Sequence, residues 1–432
     1  MNWFSCGNRD ARGHAGHRSR RVLIPVLGLV FALGLVGFGA TNTTTTLTSD
    51  VNPSVHGQPV TFTATVSPTP NGGTVTFKDG ATVLDSAAVD TGTGKANFST
   101  NSLSVGSHSI TAEYSGTTDY NPSTSSPLDQ KVDKASTTVS VGSSTNPSVT
   151  GQSVTFTATV SAASPGSGTP TGTVDFYASG NLIAADCPLS GGTATCSRSF
   201  AHIESPVAVT AHYSGDTNFN PSDNVLNPLT QTVDKASTTT SITPSGSSWV
   251  GDSYTVSGWV IVISPGSGIP TGTVTVRDDT GETCAANLVE GAWSCFLSSS
   301  GAAGTRTLTA VYEGDANYAG SSGSTTHQVT TVATTLALTD EPDPSVVGGA
   351  VTLTATATAE TGGGSPTGTV SFSIGTTPLG SAELVSSGTN KSEAVLVTTQ
   401  IPFGTHTITA TYPGDGRFAG STARPSTPRA SG

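Results

Sequence analysis

The sequence predicts an all-β chain, with four tandem β-sandwich domains following an N-terminal signal or anchor helix. Three observations predict it. Threonine, valine, serine and glycine dominate the composition, and threonine and valine suit a pleated sheet better than a helix. A tyrosine-glycine phrase recurs four times, as YSGTTDY from Tyr114, YSGDTNF from Tyr213, YEGDANY from Tyr312 and YPGDGRF from Tyr412, at intervals of 99, 99 and 100 residues. Such a period exceeds any small solenoid repeat, so each copy is a full domain. Within each copy apolar and polar residues alternate. Val154, Phe156, Ala158 and Val160 share one face of a strand, and Thr155, Thr157 and Thr159 share the other.

The first element, residues 1–40, is an address. Five arginines (Arg9, Arg12, Arg18, Arg20, Arg21) precede Val22–Ala40, a run of 19 residues that is apolar apart from its glycines and Pro25. A basic flank, a hydrophobic run and an abrupt switch to TNTTTT form the layout of an export signal. Ser19-Arg20-Arg21-Val22-Leu23-Ile24 also resembles a twin-arginine signal. The run is just long enough to span a bilayer, so a cleaved signal and a retained single-span anchor both stay open. Cleavage after Gly39 places Gly37 at the −3 position and fits better than cleavage after Ala40. Either way the arginines stay cytoplasmic and the remainder faces outward, so the expected location is extracellular or at the cell surface.

The four copies follow at 42–134, 135–235, 236–331 and 332–425, with a tail at 426–432. PSVHGQPVTFTATV from Pro53 returns as PSVTGQSVTFTATV from Pro147 and PSVVGGAVTLTATA from Pro344, with SSWVGDSYTVSGWV from Ser247 in register. Next come GTVTF, GTVDF, GTVTV and GTVSF, then the strands SITAEY, AVTAHY, TLTAVY and TITATY. Each copy shows about seven alternating segments separated by turn residues, the pattern of an immunoglobulin-like sandwich of two packed antiparallel sheets. No helix is expected outside the export segment. Taken together, PSVxGQxVTFTATV, PTGTVxF and TITAxYxGDxxY resemble the bacterial immunoglobulin-like repeat domains of secreted and cell-surface proteins. The resemblance covers roughly residues 42–425. It implies spacers, adhesive modules or enzyme appendages alike, so it specifies a fold rather than an activity.

The tyrosine phrase reads as structural. The rings share parity with core positions such as Ile110 and Ala112 and should pack inward, the glycine permits a turn, and Asp216, Asp315 and Asp415 cap it, with Thr117 in the first copy. One carboxylate beside glycine falls far short of a calcium site, and no metal or cofactor is expected. The cysteines mark the compartment. Cys187 and Cys196 in the second copy and Cys284 and Cys295 in the third form two expected disulfides within domains, since their spacing keeps each pair on one face of neighbouring strands. A zinc site is the alternative, but no C-x-x-C or histidine at ligand spacing accompanies them.

Reaction machinery is missing from the sequence. It contains no G-x-S-x-G elbow and no H-E-x-x-H, and the pair Gly94-Lys95 is followed by alanine, which rules out a phosphate loop. His108, His406 and Arg306 occupy one repeated place and read as solvated strand ends. A net charge of −12 with 17 basic residues leaves little for a nucleic acid to grip. The third copy stands out with Trp249, Trp259 and Trp293. Trp293 is expected to pack near its disulfide and Trp249 in or near the core. Trp259 aligns with the outward Thr65 and Thr159, so it either lies under a neighbouring domain or loop or binds a sugar or protein surface. The expected function is that of a non-enzymatic exported spacer with semi-rigid linkers such as DKAST, reaching on the order of 150 Å. The rivals are an adhesin for cell-wall glycan or surface proteins and a relative of a cell-wall enzyme's appendage. STARPSTPRASG carries no sorting motif, so any attachment is expected through the N-terminus.

Overall fold

The structure, a computed structural model, describes residues 39–360 and 364–424 and the backbone of 430–431. The export segment of the sequence analysis, the tail and Cys6 therefore lie outside the described residues, save for Gly39, Ala40 and the backbone of 430–431. The chain divides into two compact units. One holds the described residues up to Asp50 with Phe62–Phe98 and Ser109–Leu128; the other holds Val51–Thr61, Ser99–His108 and everything from Asp129 onward.

The period-two pattern becomes strands. In the second copy Val154, Phe156, Ala158 and Val160 are all buried, while the threonines between them look outward. Their strand, Ser153–Ala162, lies between Thr137–Ser143 and Thr193–Ser199 in one antiparallel sheet. The second sheet places Thr173–Ala178 between Asn181–Pro188 and Val207–Tyr213. Apolar faces of the two sheets meet in one cluster that includes Phe156, Phe176, Val209 and Tyr213. The third and fourth copies repeat this arrangement around Val256, Val276, Leu308 and Tyr312, and around Leu353, Phe372, Ile408 and Tyr412. In the first unit Thr44–Ser49 pairs with residues 62–67, and Thr74–Asp79 lies between Thr82–Ala88 and the segment that ends at Tyr114. Burying about ten apolar side chains per copy supplies the main driving force, since each is worth roughly 1.5–3 kcal/mol against full exposure. Among the described residues the one helical element is a three-residue turn, His202–Glu204, a small departure from the helix-free expectation. The Glu204 carboxylate fixes it by accepting the Ala201 N–H at 2.6 Å.

The four tyrosines are among the largest fully buried side chains, each at most 2% exposed. Behind each ring the chain turns at Gly116, Gly215, Gly314 or Gly414, with φ between 76° and 91°, where a side chain would be strained. Asp216 Oδ1 accepts the N–H groups of Asn218 and Phe219 at 2.7 and 2.8 Å. Its Oδ2 accepts the N–H and hydroxyl of Thr171, so the carboxylate also ties the turn to the PTG loop before the next strand. Asp315 with Thr271 and Asp415 with Thr367 repeat the bond set. In the first copy Thr117 Oγ1 makes a weaker version of the tie, donating to Asn71 Oδ1 at 3.0 Å.

Candidate functional site

For a chain of similar domains the positions that matter are the joints and whatever one copy carries that its siblings lack. Each linker belongs to the domain it enters. Ala135, Ala236 and Val332 are fully buried and exchange backbone bonds with the turn of the following copy: Ala135 N–H to Asn218 O, Ala236 N–H to Asn317 O and Val332 N–H to Arg417 O, at 2.8–3.0 Å. One side chain from the preceding domain then packs against the next core. It is Val55 at the first joint, Val149 at the second and Trp249 at the third, the same repeat position each time. Trp249 thus serves the fourth domain's core, an outcome that alignment within its own copy does not reveal.

Two joints share a latch. Ser167 Oγ donates to Gly57 O, and Ser267 Oγ to Gly151 O, both at 2.7 Å. A Cβ on Gly57 or Gly151 would fall 2.3 or 2.4 Å from the serine carbonyl, so a side chain there would push the joint apart. The third joint replaces the latch with Arg417, which donates to Val250 O at 2.6 Å and pairs with Asp252 at 2.8 Å.

Trp259 lies on the outer face of Ser253–Val262 and is 53% exposed, so neither the next domain nor a loop covers most of it. Ile261, Ile263, Val289 and Phe296 are exposed in the same copy. Trp259 stands opposite Ala292, which bridges to Val289, and Phe296 stands opposite Thr255 four residues away. In the second copy the corresponding places hold Thr159, Ser161, Ala163, Ser190 and Ser197. The third copy has therefore exchanged hydroxyl and small residues for an apolar outer face. Sequence reasoning found the tryptophan but missed its neighbours, although strand parity marks Ile261 as outward-facing.

The same copy carries a buried polar cluster that the sequence analysis misread. Arg306 is no solvated strand end: it is 3% exposed and ion-paired with the buried Asp278 at 3.1 Å. His108 is buried as well. Burial opposes ionisation of Asp278, but Thr280, the Glu282 N–H and Arg306 outweigh it and hold its carboxyl below the usual range. Nearby, His327 stacks on Tyr254 with ring centres 3.7 Å apart, and its Nε2 lies 2.7 Å from Ser248 Oγ. A serine-histidine contact invites a catalytic reading. Yet Gln130 bonds Ser54, and Gln231 bonds Ser148, at the same repeat positions, where no base exists. The contact is a structural pin between the first turn and the last strand, and none of the hydrogen bonds described for His327 goes to a carboxylate.

The cysteines divide. Cys284 and Cys295 are bonded, with Cα atoms 6.0 Å apart, and Trp293 is buried beside them. Cys187 and Cys196 stay separate thiols, which corrects the expected second bridge. Cys284 stands opposite Val276, and Cys295 opposite Val256. Cys196 keeps its place opposite Phe156, but Ala184 takes the place opposite Phe176, and Cys187 stands opposite Val174. Parity is preserved, yet Cys187 is displaced by two residues, about 7 Å along its strand, which is the whole reach of a disulfide. The register slips twice between Val174 and Tyr177, and Asp186 takes a φ of 52°. Burial, and secondarily the nearby Cys187, push the Cys196 thiol up to about 11, which keeps it a poor nucleophile.

The fold and joints define a tandem array of two-sheet antiparallel sandwiches. The chain belongs to the bacterial Ig-like domain (group 3) family, whose model matches residues 47–133, 141–234, 237–332 and 338–429. No curated protein matches it. Among solved structures it is similar to a tetra-tandem repeat from the extending region of a large adhesion protein, at 19% identity and TM-score 0.33, over 91% of this chain and 100% of that one. It is also similar to the Escherichia coli adhesin FdeC, at 16% identity and TM-score 0.27, over 68% and 97%. A four-domain ectodomain fragment of ICAM-5 is 12% identical, with TM-score 0.33 over 90% and 100%. Likenesses at this level carry no argument about function.

Proposed function

We propose that the chain is a non-enzymatic, exported stalk of the bacterial cell surface whose Ig-like domains hold a contact point away from the envelope. The joints carry this reading. A linker whose residue is fully buried in the next domain, as Ala135, Ala236 and Val332 are, has no free torsions for a hinge, and the packed Val55, Val149 and Trp249 resist bending. Repeating that joint serves extension better than catalysis, which needs a unique pocket. Family membership supports the surface location, and the N-terminal arginines and hydrophobic run support export. The test is fractionation of the producing cells with N-terminal sequencing of the recovered protein. Protein found in the medium or membrane fraction, and exposed to added protease on intact cells, fits the proposal. Protein found only in the cytosol defeats it.

A second reading, an adhesin, is favoured by the apolar outer face around Trp259. Exposed indole and isoleucine surface of this kind suits a partner protein or the C–H face of a sugar. Replacing Trp259 by Ala should lower adhesion to cell-wall glycan or a host surface by about tenfold if the indole is an anchor. Unchanged adhesion leaves the stalk reading alone in place.

A further inference from the structure

We infer that the second domain binds an uncharged pyranose on the outer face of the sheet formed by Thr173–Ala178 and Val207–Tyr213. A pocket of about 520 Å³ lies there, with Tyr177, Ser179, Thr210, His212, Val225 and Pro228 in its lining. That volume is within the range of small-molecule sites.

The pocket exists because of two local changes in the repeat. In the first copy the floor positions hold Lys78 and Glu113, joined as an ion pair at 2.5 Å. The second copy puts Tyr177 and His212 in their places, exchanging a closed ion pair for an aromatic ring and an imidazole. The wall comes from length. PSDNVLNPLTQTVD from Pro221 is two residues longer than PSTSSPLDQKVD from Pro122. The extra residues form a rim that is already fixed. Asn224 is buried, its Oδ1 accepts the Ala211 N–H at 2.7 Å and its Nδ2 donates to Asn227 O at 3.3 Å, while Asp223 Oδ1 accepts the Val225 N–H at 3.0 Å. A pocket fixed before binding loses little conformational entropy when a ligand enters.

The lining selects the ligand class. An aromatic ring with valine and proline beside it suits the apolar C–H face of a pyranose, and the hydroxyls of Ser179 and Thr210 with the His212 imidazole suit its hydroxyls. Charge narrows the choice. The cross-strand neighbours of His212 are Asp175 and Asp223, and no lysine or arginine lines the pocket, so an anionic sugar or phosphate meets repulsion. Each of those carboxylates already accepts one backbone N–H, from Asp186 and from Val225, and neither lines the pocket, so they set the charge beside it rather than touch the sugar. A lysine-rich peptide would use the same two carboxylates without the ring. The aromatic floor favours the sugar.

The test uses the purified full chain, so its outcome does not depend on whether the chain proves to be a surface stalk. Saturation-transfer NMR with a panel of neutral methyl pyranosides, titrated to about 20 mM, should show transfer to ring C–H protons. The double variant Tyr177→Lys with His212→Glu installs the first copy's own ion pair, which this fold already accommodates, and Tyr177→Ala removes the ring alone. Both should reduce the signal at least tenfold, whereas Arg277→Ala, at the equivalent place in the third copy, should leave it intact. No transfer to any neutral pyranoside, transfer that survives both Tyr177 variants, or binding of an oligolysine peptide in place of the sugars would each overturn the assignment.

Discussion

At the scale of single residues, the repeated Asp is the most informative side chain. Burial raises the cost of ionising Asp315, but the hydrogen bonds from Thr271, Asn317 and Tyr318 more than offset it and keep its carboxyl below the ordinary range. Asp315→Ala should therefore cost the third domain about 2 kcal/mol, the worth of charge-assisted hydrogen bonds to backbone donors, read as a lower urea midpoint. Because the folded-state pKa is depressed, this stabilisation is present above the ordinary carboxylate range near pH 4 and is lost as pH falls below it. His327 behaves in the opposite chemical sense. Burial first, and the Arg306 charge second, lower its pKa, so the folded domain holds it neutral beside Tyr254 and Ser248. Asp278 is ion-paired with Arg306. Once the pH drops below about 6.5 the unfolded chain takes a proton that the folded chain refuses, so stability declines with acidification. His327→Gln, the residue of the first two copies, should flatten that decline. Tryptophan fluorescence follows it through Trp259 and Trp293 of the third copy, with Trp249 also sensing the fourth domain's core and Trp3 lying in the N-terminal segment. An equally steep pH dependence in the variant would assign the effect to other groups.

At the scale of strands, the two cysteine pairs show how far sequence spacing reaches. Parity placed all four sulfurs on the correct faces, because side chains in a strand alternate strictly. Position along the strand is a different quantity, set by where bulges fall, and the second copy spends its extra residues in the hairpin before Cys187. Thiol titration of residues 39–424, denatured and unreduced, should count two free thiols, Cys187 and Cys196. Zero would mean that both bridges form. Reduction of Cys284–Cys295 should lower the third domain's stability by about 2–3 kcal/mol on the chain-entropy model, and leave the second domain unchanged. The outer faces are a related lesson. Alternation puts Ile261 beside Trp259 on the outer face, but only the assembled sheet shows that Ala292, which bridges to Val289, lies opposite Trp259.

At the scale of the whole molecule, the repeated joint decides how one domain passes into the next. Val55, Val149 and Trp249 each pack on the following core, and their counterpart in the fourth copy, Val346, is 67% exposed. The third joint differs in kind, since Arg417 and Asp252 are both partly solvated and their pair is worth no more than about 1 kcal/mol. Arg417→Ala should therefore speed proteolysis of the 330–333 linker in the native protein, most visibly at low salt where the pair is strongest, without lowering the stability of either flanking domain by more than about 1 kcal/mol. Unaltered cleavage would show that Trp249 alone holds that joint.

The repeat period, the alternating apolar face and the tyrosine turn follow from the sequence alone, because each depends on residues close together along the chain. Tyr312 and Asp315, for example, announce both the buried ring and its capping carboxylate. The unjoined cysteines, the tryptophan that serves its neighbour's core and the pocket over Tyr177 were settled only by tertiary structure. Each depends on the register between strands distant in sequence, and a shift of one pair along a sheet leaves the pattern of residue types unchanged while moving the chemistry by several ångströms.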